Sequence, residues 1–307
     1  MKFWLCCQQY IVLFLLIIVN KPKLTLQLSL LLACSYAPFV LAEPAVIKPG
    51  NTTLSLAVGY GQYGNILHQG NATPLYLLPR VSYYRQRFYL ENLDLGYNLW
   101  QHQGFSLDLT TKQSFDALLL RQDPLQDALL RGLVKSKKIF VMPTSSRLDQ
   151  LLTPERRQFS YLTGISLFYN QQNWQLSSAL QQDISKVHHG LEWQQKARYL
   201  WQSGPVALAV TAEYRYLSSN YSNYYFGVGP EDTQPLSVKR PELRLYQYQP
   251  GAQWLPALRL ESSYQLKDNT RLLLNWRREW LPDAYQHSLY FAKRQHDIWF
   301  AGVLWSW

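Results

Sequence analysis

Beyond residue 34 the chain has no cysteine, since all three, Cys6, Cys7 and Cys34, lie near its start. A disulfide-built miniature is thereby excluded. Charge is scarce too: 16% of the 307 residues are charged, against about a quarter in an ordinary soluble domain. After residue 43 no stretch reaches the 18 or so consecutive apolar residues that a membrane-crossing helix needs. What is present excludes disorder. Hydrophobic residues make up 47% and aromatic residues 15%, with 11 Trp and 22 Tyr, and disorder requires few of either. Mean hydropathy is nevertheless only −0.23. The composition fits neither a soluble domain nor a helical membrane protein.

The N-terminus reads as an export signal. Phe3–Val19 is apolar apart from Gln8 and Gln9, Lys21 and Lys23 follow, and Leu24–Leu32 is a second apolar stretch. Val40-Leu41-Ala42 then precedes Glu43. From Lys21 onward the order is basic, apolar and small, as in a signal peptide cleaved after Ala42. The expected organisation is therefore a signal peptide over 1–42, with an over-extended start, and one domain over 43–307. The alternatives are an N-terminal transmembrane helix, or a lipoprotein signal, since Leu31-Leu32-Ala33-Cys34 resembles a lipobox. Cleavage at Ala42 removes three lysines, no acid and every cysteine, lowering the formal charge from +10 to +7. A cysteine-free body suits an oxidising envelope compartment.

After residue 43 the pattern has a period of two. In 205–217, Val206, Leu208, Val210, Ala212, Tyr214 and Tyr216 share one face, and Thr211, Glu213 and Arg215 lie on the other. In 191–201, Leu191, Trp193, Ala197, Tyr199 and Trp201, with Gln195 interrupting, oppose Glu192, Gln194, Lys196 and Arg198. Segments 174–184 and 258–266 behave alike. Each run has about ten residues, the length of a tilted bilayer-crossing strand. A β-sandwich or soluble barrel also alternates. Aromatic residues at the strand ends and charges on the polar face favour a membrane barrel with a wet or salt-bridged interior.

The expected fold is an all-β, antiparallel, up-and-down transmembrane barrel. Eleven strands are legible, at about 53–60, 75–84, 88–98, 104–112, 158–169, 173–184, 190–201, 205–217, 254–266, 270–281 and 297–307. Bacterial barrels of this kind have an even number, with short periplasmic turns and long outer loops. A twelfth strand at Phe115–Arg121 puts the tight connections near 85–86, 113, 171–172, 203 and 268–269 at one end. The long ones, 61–73, 122–157, 218–253 and 282–296, then fall at the other. Twelve strands are expected, with ten as the alternative. In 122–157 a short helix with Leu125, Leu129 and Leu133 on one side leads to Lys135, Lys137 and Lys138, a solvated basic loop or one touching lipopolysaccharide phosphates.

The last strand resembles the C-terminal assembly signal of bacterial outer-membrane barrels, a glycine followed three and five residues later by aromatics. Gly302, Trp305 and Trp307 take those places, with Trp for the usual Phe. Other segments resemble the MipA/OmpV family, also called MltA-interacting protein. They are Pro74–Tyr84 running on through Arg87–Leu90 to Leu95-Gly96-Tyr97-Asn98-Leu99, then His188-His189-Gly190-Leu191-Glu192. The sharpest is Asn223-Tyr224-Tyr225-Phe226-Gly227-Val228, close to the family's Tyr-Tyr-Tyr-Gly-Val signature, followed by Tyr248-Gln249-Pro250-Gly251. The family's late Asp-Ser-Pro-Leu box is met only in part by His287-Ser288-Leu289. The resemblance spans most of 52–307. It implies a scaffold that holds a lytic transglycosylase and a penicillin-binding synthase in one murein-remodelling complex.

The residues themselves leave Tyr224, Tyr225, Phe226, Gly227 and Val228 as a loop packed by its own aromatics or a partner loop. Gly227 is expected to supply a backbone conformation that other residues avoid. His188 and His189, adjacent in a turn, are expected to be solvated and cannot easily share a metal. His287, Ser288 and Asp283 sit too close in sequence to be read as a triad, whose roles depend on spatial geometry. No catalytic, cofactor or metal site is expected, and export argues against a nucleic-acid partner. The expected partners are outer-membrane lipids, lipopolysaccharide, the barrel-assembly machinery and the two murein enzymes, in a Gram-negative outer membrane. A small-solute channel and a surface adhesin remain alternatives. The polar-face set Glu192, Lys196, Arg198, Glu213, Arg215, Arg259, Glu261, Arg271, Arg277 and Glu279 mixes signs, and so suits either a salt-bridge plug or a pore lining.

Overall fold

In a computed structural model, residues 52–67, 72–92, 94–120, 157–230, 232, 247–288 and 290–307 are described. The expected cleavage site at Ala42 and the lysines of the 122–157 segment lie outside these residues.

Twelve antiparallel strands close into a barrel, each hydrogen-bonded to its sequence neighbours and the last to the first. They are β1 (Thr52–Tyr63), β2 (Thr73–Arg85), β3 (Phe88–Glu91), β4 (Asp94–His102), β5 (Phe105–Gln113) and β6 (Tyr161–Gln171). There follow β7 (Trp174–Asp183), β8 (Leu191–Ser203), β9 (Val206–Leu217), β10 (Gln253–Lys267), β11 (Thr270–Trp280) and β12 (Gln295–Ser306). Among the described residues, two short helices, α1 (Ser219–Phe226) and α2 (Asp283–Gln286), and a 3-10 helix at Asp116–Leu120 lie between strands. Closure satisfies every strand edge, which a bilayer requires because lipid offers no hydrogen bonds.

The alternation sets which side faces where. In β9, Leu208, Val210 and Tyr214 are exposed on the outer wall while Ala209, Thr211, Glu213 and Arg215 are buried within. The same holds around the ring, so Leu109, Ile165, Leu167, Leu176, Leu180, Leu260, Leu272 and Leu274 form an exposed apolar belt. Aromatic clusters edge that belt at both ends. Phe105 packs on Tyr169 (4.3 Å between ring centres) and Trp174 on Tyr199 (5.0 Å) at the end with tight turns. Trp254 packs on Tyr214 (4.7 Å) and Tyr216 (4.9 Å) at the other. Such girdles sit at membrane interfaces, where one part of the ring is apolar and the other wet.

The strand number agrees with the sequence expectation, but the twelfth strand is found elsewhere. The strand expected at Phe115–Arg121 does not form over its described part: Asp116–Leu120 is the 3-10 helix. Instead 88–98 is broken at Asn92, which takes φ +58°. Its side-chain oxygen accepts the Val81 N–H (3.2 Å) and its own N–H reaches Val81 O (2.6 Å). This local bonding by asparagine in the left-handed region makes a hairpin without the usual glycine. The tight connection expected at Gln113 is accordingly at Gln103-Gly104, with φ of +45° and +85°. The two errors compensate, so the parity survives. Both ends of the described barrel, Thr52 and Ser306, lie with the tight turns, as in barrels whose turns face the periplasm.

Candidate functional site: a plugged lumen

At the long-loop end the connections fold together over the barrel mouth. Ile66, Leu67, Leu119, Leu162, Leu217, Tyr221, Tyr225, Phe226, Val228, Leu255, Tyr285 and Phe291 form one buried cluster. Its centre is α1, so the loop expected at Tyr224–Val228 is a helix through Phe226. Phe226 stacks on Tyr285 (4.2 Å, 11°). Tyr225 Oη donates to Gln158 O (3.0 Å), the Tyr224 hydroxyl accepts the Gln158 N–H (3.0 Å), and Ser222 Oγ bonds the Tyr285 hydroxyl (2.9 Å). Burial pushes the Tyr221, Tyr225 and Tyr285 hydroxyls far above the usual phenol range, so they remain protonated.

Gly227 is needed for a reason other than the one expected. Its φ of −85° is open to any residue, but a Cβ there would collide with Asn223 O and come within 2.9 Å of Tyr248 O. The left-handed conformation falls to Gly251 (φ +71°), whose N–H donates to Asn223 Oδ1 (2.9 Å). Val228 pairs with Tyr248. The two motifs Asn223–Val228 and Tyr248–Gly251 are therefore halves of one packed unit.

His188 departs from expectation as well. It is buried, packed against Tyr221 (4.5 Å) and Tyr225 (5.5 Å). Its Nδ1 accepts the Gly190 N–H (2.9 Å) and its Nε2 lies 3.0 Å from Ser160 Oγ. Burial lowers its pKa, opposed by Asp183, Asp116 and Glu192, so the imidazole is neutral and part of the plug. His189 alone is exposed. The sequence placed both in solvent because a turn usually leaves histidines there, and it had no sign that α1 folds over this one. Ser288 Oγ accepts the Tyr290 N–H (3.4 Å), His287 faces Tyr248, and exposed Asp283 lies 3.8 Å from Arg294. These three are not brought together.

Directly beneath the aromatic layer the polar-face charges converge. Arg215 donates from Nε to Glu192 (3.0 Å), from Nη1 to Glu279 (3.0 Å) and from Nη2 to Asp116 (2.8 Å). Glu192 also meets Lys112 Nζ at 2.5 Å. Glu213 lies between Arg259 (3.1 Å) and Arg277 (3.0 Å), and Arg277 reaches Glu279 (3.0 Å). Arg259 and Arg277 are directly opposite on β10 and β11, a pairing that Glu213 makes tolerable. Asp116 and Lys112 complete the cluster and were missed from the sequence. Asp116 was read into a strand, although the unbroken apolar run Ala117–Leu120 after it does not alternate.

Exposure then grades along the lumen. Glu192 and Leu255 are at 0%, whereas Arg198 and Glu261, paired at 3.1 Å one step toward the turns, have side chains 37% and 30% exposed. Arg271, nearer the turns, is exposed. Within the described residues the lumen is thus a vestibule that opens at the turn end and stops at the ion cluster. At the seam, β12 pairs with β1 from Ser55–Ser306 to Tyr63–Ile298. Trp305 lies on the outer wall, the Trp307 N–H bonds Leu54 O (2.8 Å), and Gly302 faces Gly59 across the seam.

A closed antiparallel barrel with an apolar belt, two aromatic girdles and a charged interior is a transmembrane β-barrel of the outer membrane. The chain belongs to the MipA family, described as MltA-interacting protein MipA, whose model matches residues 54–307. It is 20% identical over 255 residues to the “Putative outer membrane protein YiaT” of Escherichia coli (strain K12), covering 83% of this chain and 92% of that one. Among solved structures it is loosely similar to the COG4313 outer membrane channel from Pseudomonas putida F1. That likeness has a TM-score of 0.36 at 10% identity, over 85% of this chain and 99% of that one. A second loose likeness is to the N-terminal β-barrel domain of Pseudomonas aeruginosa OprF, with a TM-score of 0.23 at 14% identity, over 48% and 88%. Neither carries an argument about function.

Proposed function

We propose that this protein is a non-enzymatic scaffold of the outer membrane that holds murein-remodelling enzymes, a lytic transglycosylase and a penicillin-binding synthase, at its periplasmic face. The observation that carries this reading is the double layer at the loop end, an aromatic plug over a buried ion cluster, which leaves a rigid wall rather than a through-passage. A solute channel needs a wet path from end to end, and the described lumen stops at Arg215 and its three carboxylates. The family description, MltA-interacting protein, supports the lytic transglycosylase, and the penicillin-binding synthase follows from the motif resemblance alone. Tyr224–Val228, in this reading, serve the plug, Gly302, Trp305 and Trp307 serve assembly, and residues up to Ala42 serve export.

Because the plugged end carries the long loops, the enzymes would bind the turn face and the rim of the vestibule. The test is a pull-down of the tagged protein from crosslinked envelopes. Recovery of a lytic transglycosylase or a penicillin-binding protein is expected. Recovery of neither, with the barrel intact, would sink the scaffold.

A further inference from the structure

Four strands at the open end of the vestibule build a pocket that the ion cluster and plug do not use. Its walls are the turn 85–88, Tyr84 of β2, Tyr89 of β3, Asn98 and Gln101 of β4, and Ser106 and Asp108 of β5, enclosing about 220 Å³. This is below the roughly 300–1,000 Å³ of sites for drug-sized molecules, so it has room for one ring rather than an extended ligand.

The lining is specific in two respects. The first is a pair of tyrosines held along the inner wall, with rings 6.1 Å apart and 22° from parallel. Gly96 makes this possible. It pairs with Tyr89 across β3 and β4, and a Cβ there would run into the Tyr89 ring. The bare backbone lets that ring lie flat on β4. The Tyr89 hydroxyl reaches across to Asp108 (2.8 Å), and Tyr84 bonds Glu91, so both rings are locked in place. The second is a set of planar polar groups beside the rings. Asp108 accepts from Asn98 Nδ2 (2.6 Å) as well as from Tyr89, and Gln101 and Ser106 are adjacent. At the lip the exposed Arg85 and Arg87 flank Gln86, whose φ of +28° makes the turn.

Flat aromatic faces beside planar hydrogen-bonding groups suit a pyranose. Its C–H face packs on the ring, and its hydroxyls or acetamide meet carboxylate and amide oxygens. Guanidinium groups at the lip suit a carboxylate on that sugar. The pocket opens at the end of the tight turns, which in such barrels faces the periplasm. We propose that it is a binding site for one residue of a carboxylate-bearing amino-sugar glycan, the chemistry of a murein strand stripped of its stem peptides, with the rest of the strand leaving through the vestibule mouth. This ligand rests on the murein reading above, and it gives the scaffold a hold on the polymer as well as on the enzymes.

The full-length protein in detergent micelles is titrated with the N-acetylglucosamine–N-acetylmuramic acid disaccharide, and in parallel with chitobiose bearing two acetamides and no carboxylate, by isothermal calorimetry. Binding of the muramyl disaccharide is expected to exceed that of chitobiose by about tenfold, since a charge-assisted hydrogen bond contributes about that much. Arg85→Gln with Arg87→Gln, both on an exposed turn, should remove that preference and leave chitobiose binding unchanged. Gly96→Ala should weaken both sugars about tenfold or more by displacing Tyr89. Heat-modifiable gel mobility verifies that each variant is a folded barrel. Absence of binding of either sugar at millimolar concentration overturns the proposal. So does binding that the folded Gly96→Ala and Arg85→Gln/Arg87→Gln variants both retain in full. Sugar binding without enzyme capture in the pull-down would leave this site standing and remove the scaffold; enzyme capture without sugar binding would do the reverse.

Discussion

Replacing Arg215 with Met tests the ion cluster at its centre. The guanidinium bonds three carboxylates at 2.8–3.0 Å and is almost fully buried. Removing one partner of a buried ion pair typically costs about 3–5 kcal/mol, because it leaves a charge without compensation in a poor solvent. The structure says where that cost falls. Glu192 keeps Lys112 and Glu279 keeps Arg277. Among the described residues, Asp116 keeps only the Tyr221 hydroxyl (2.9 Å), a neutral donor. Most of the loss therefore belongs to Asp116, and adding Asp116→Asn to Arg215→Met should restore more than half of it. Adding Glu192→Gln instead should restore less, since it strands Lys112. Arg215→Lys should lie between, because one ammonium cannot serve three carboxylates as a fork does. Urea unfolding of the purified protein in micelles, followed by tryptophan fluorescence, measures each variant and the coupling between them. A loss below about 1 kcal/mol for Arg215→Met would refute the reasoning. So would a better rescue by Glu192→Gln than by Asp116→Asn.

Other expectations concern the plug and the seam. Phe226→Ala removes a fully buried ring stacked on Tyr285 and should cost about 3–5 kcal/mol in the same assay. Gly227→Ala forces a Cβ against Asn223 O and should cost about 1–3 kcal/mol, whereas Gly204→Ala, in open space but at φ +53°, tests backbone strain alone. His188 has a pKa lowered by burial, with Asp183, Asp116, Glu192 and His189 around it. The unfolded chain therefore takes up a proton below about pH 6.5 that the folded protein resists. Plug stability should fall as pH drops through and below that point, and His188→Gln should flatten the dependence, as measured by urea midpoints at pH 7.5 and pH 5. Trp305→Ala with Trp307→Ala leaves the seam pairing but removes the outward aromatics. It should lower the amount inserted in the outer membrane of cells, while refolding into detergent proceeds, as read by gel mobility.

The wall was legible in the sequence because the strands repeat one physical rule, apolar toward lipid and polar toward the lumen, which β9 follows from Leu208 to Arg215 and β8 follows with Gln195 as an interruption. The polar-face charges were legible for the same reason, since alternation alone put Glu192, Glu213, Arg215, Arg277 and Glu279 on one side. What they bond was not, because Arg215 meets Asp116 across 99 residues and no local pattern encodes that distance. The break at Asn92 was hidden because its turn uses an asparagine side chain in place of glycine or proline. The plug was hidden more deeply. Tyr224–Phe226 read as a loop because eight residues with this many tyrosines have little helical periodicity. Helix α1 is held by packing on Tyr285 and His188 from two other connections and on Tyr248 from the far end of its own, a tertiary effect that outweighs local preference.

The most direct test of the central claim, a barrel closed at its loop end, is single-molecule conductance in planar bilayers. The purified protein should show no steps above leak, and Arg215→Met with Phe226→Ala, which loosens both layers of the plug, should show them. Regular, well-defined steps from the unaltered protein would contradict a sealed lumen and return the barrel to the class of channels.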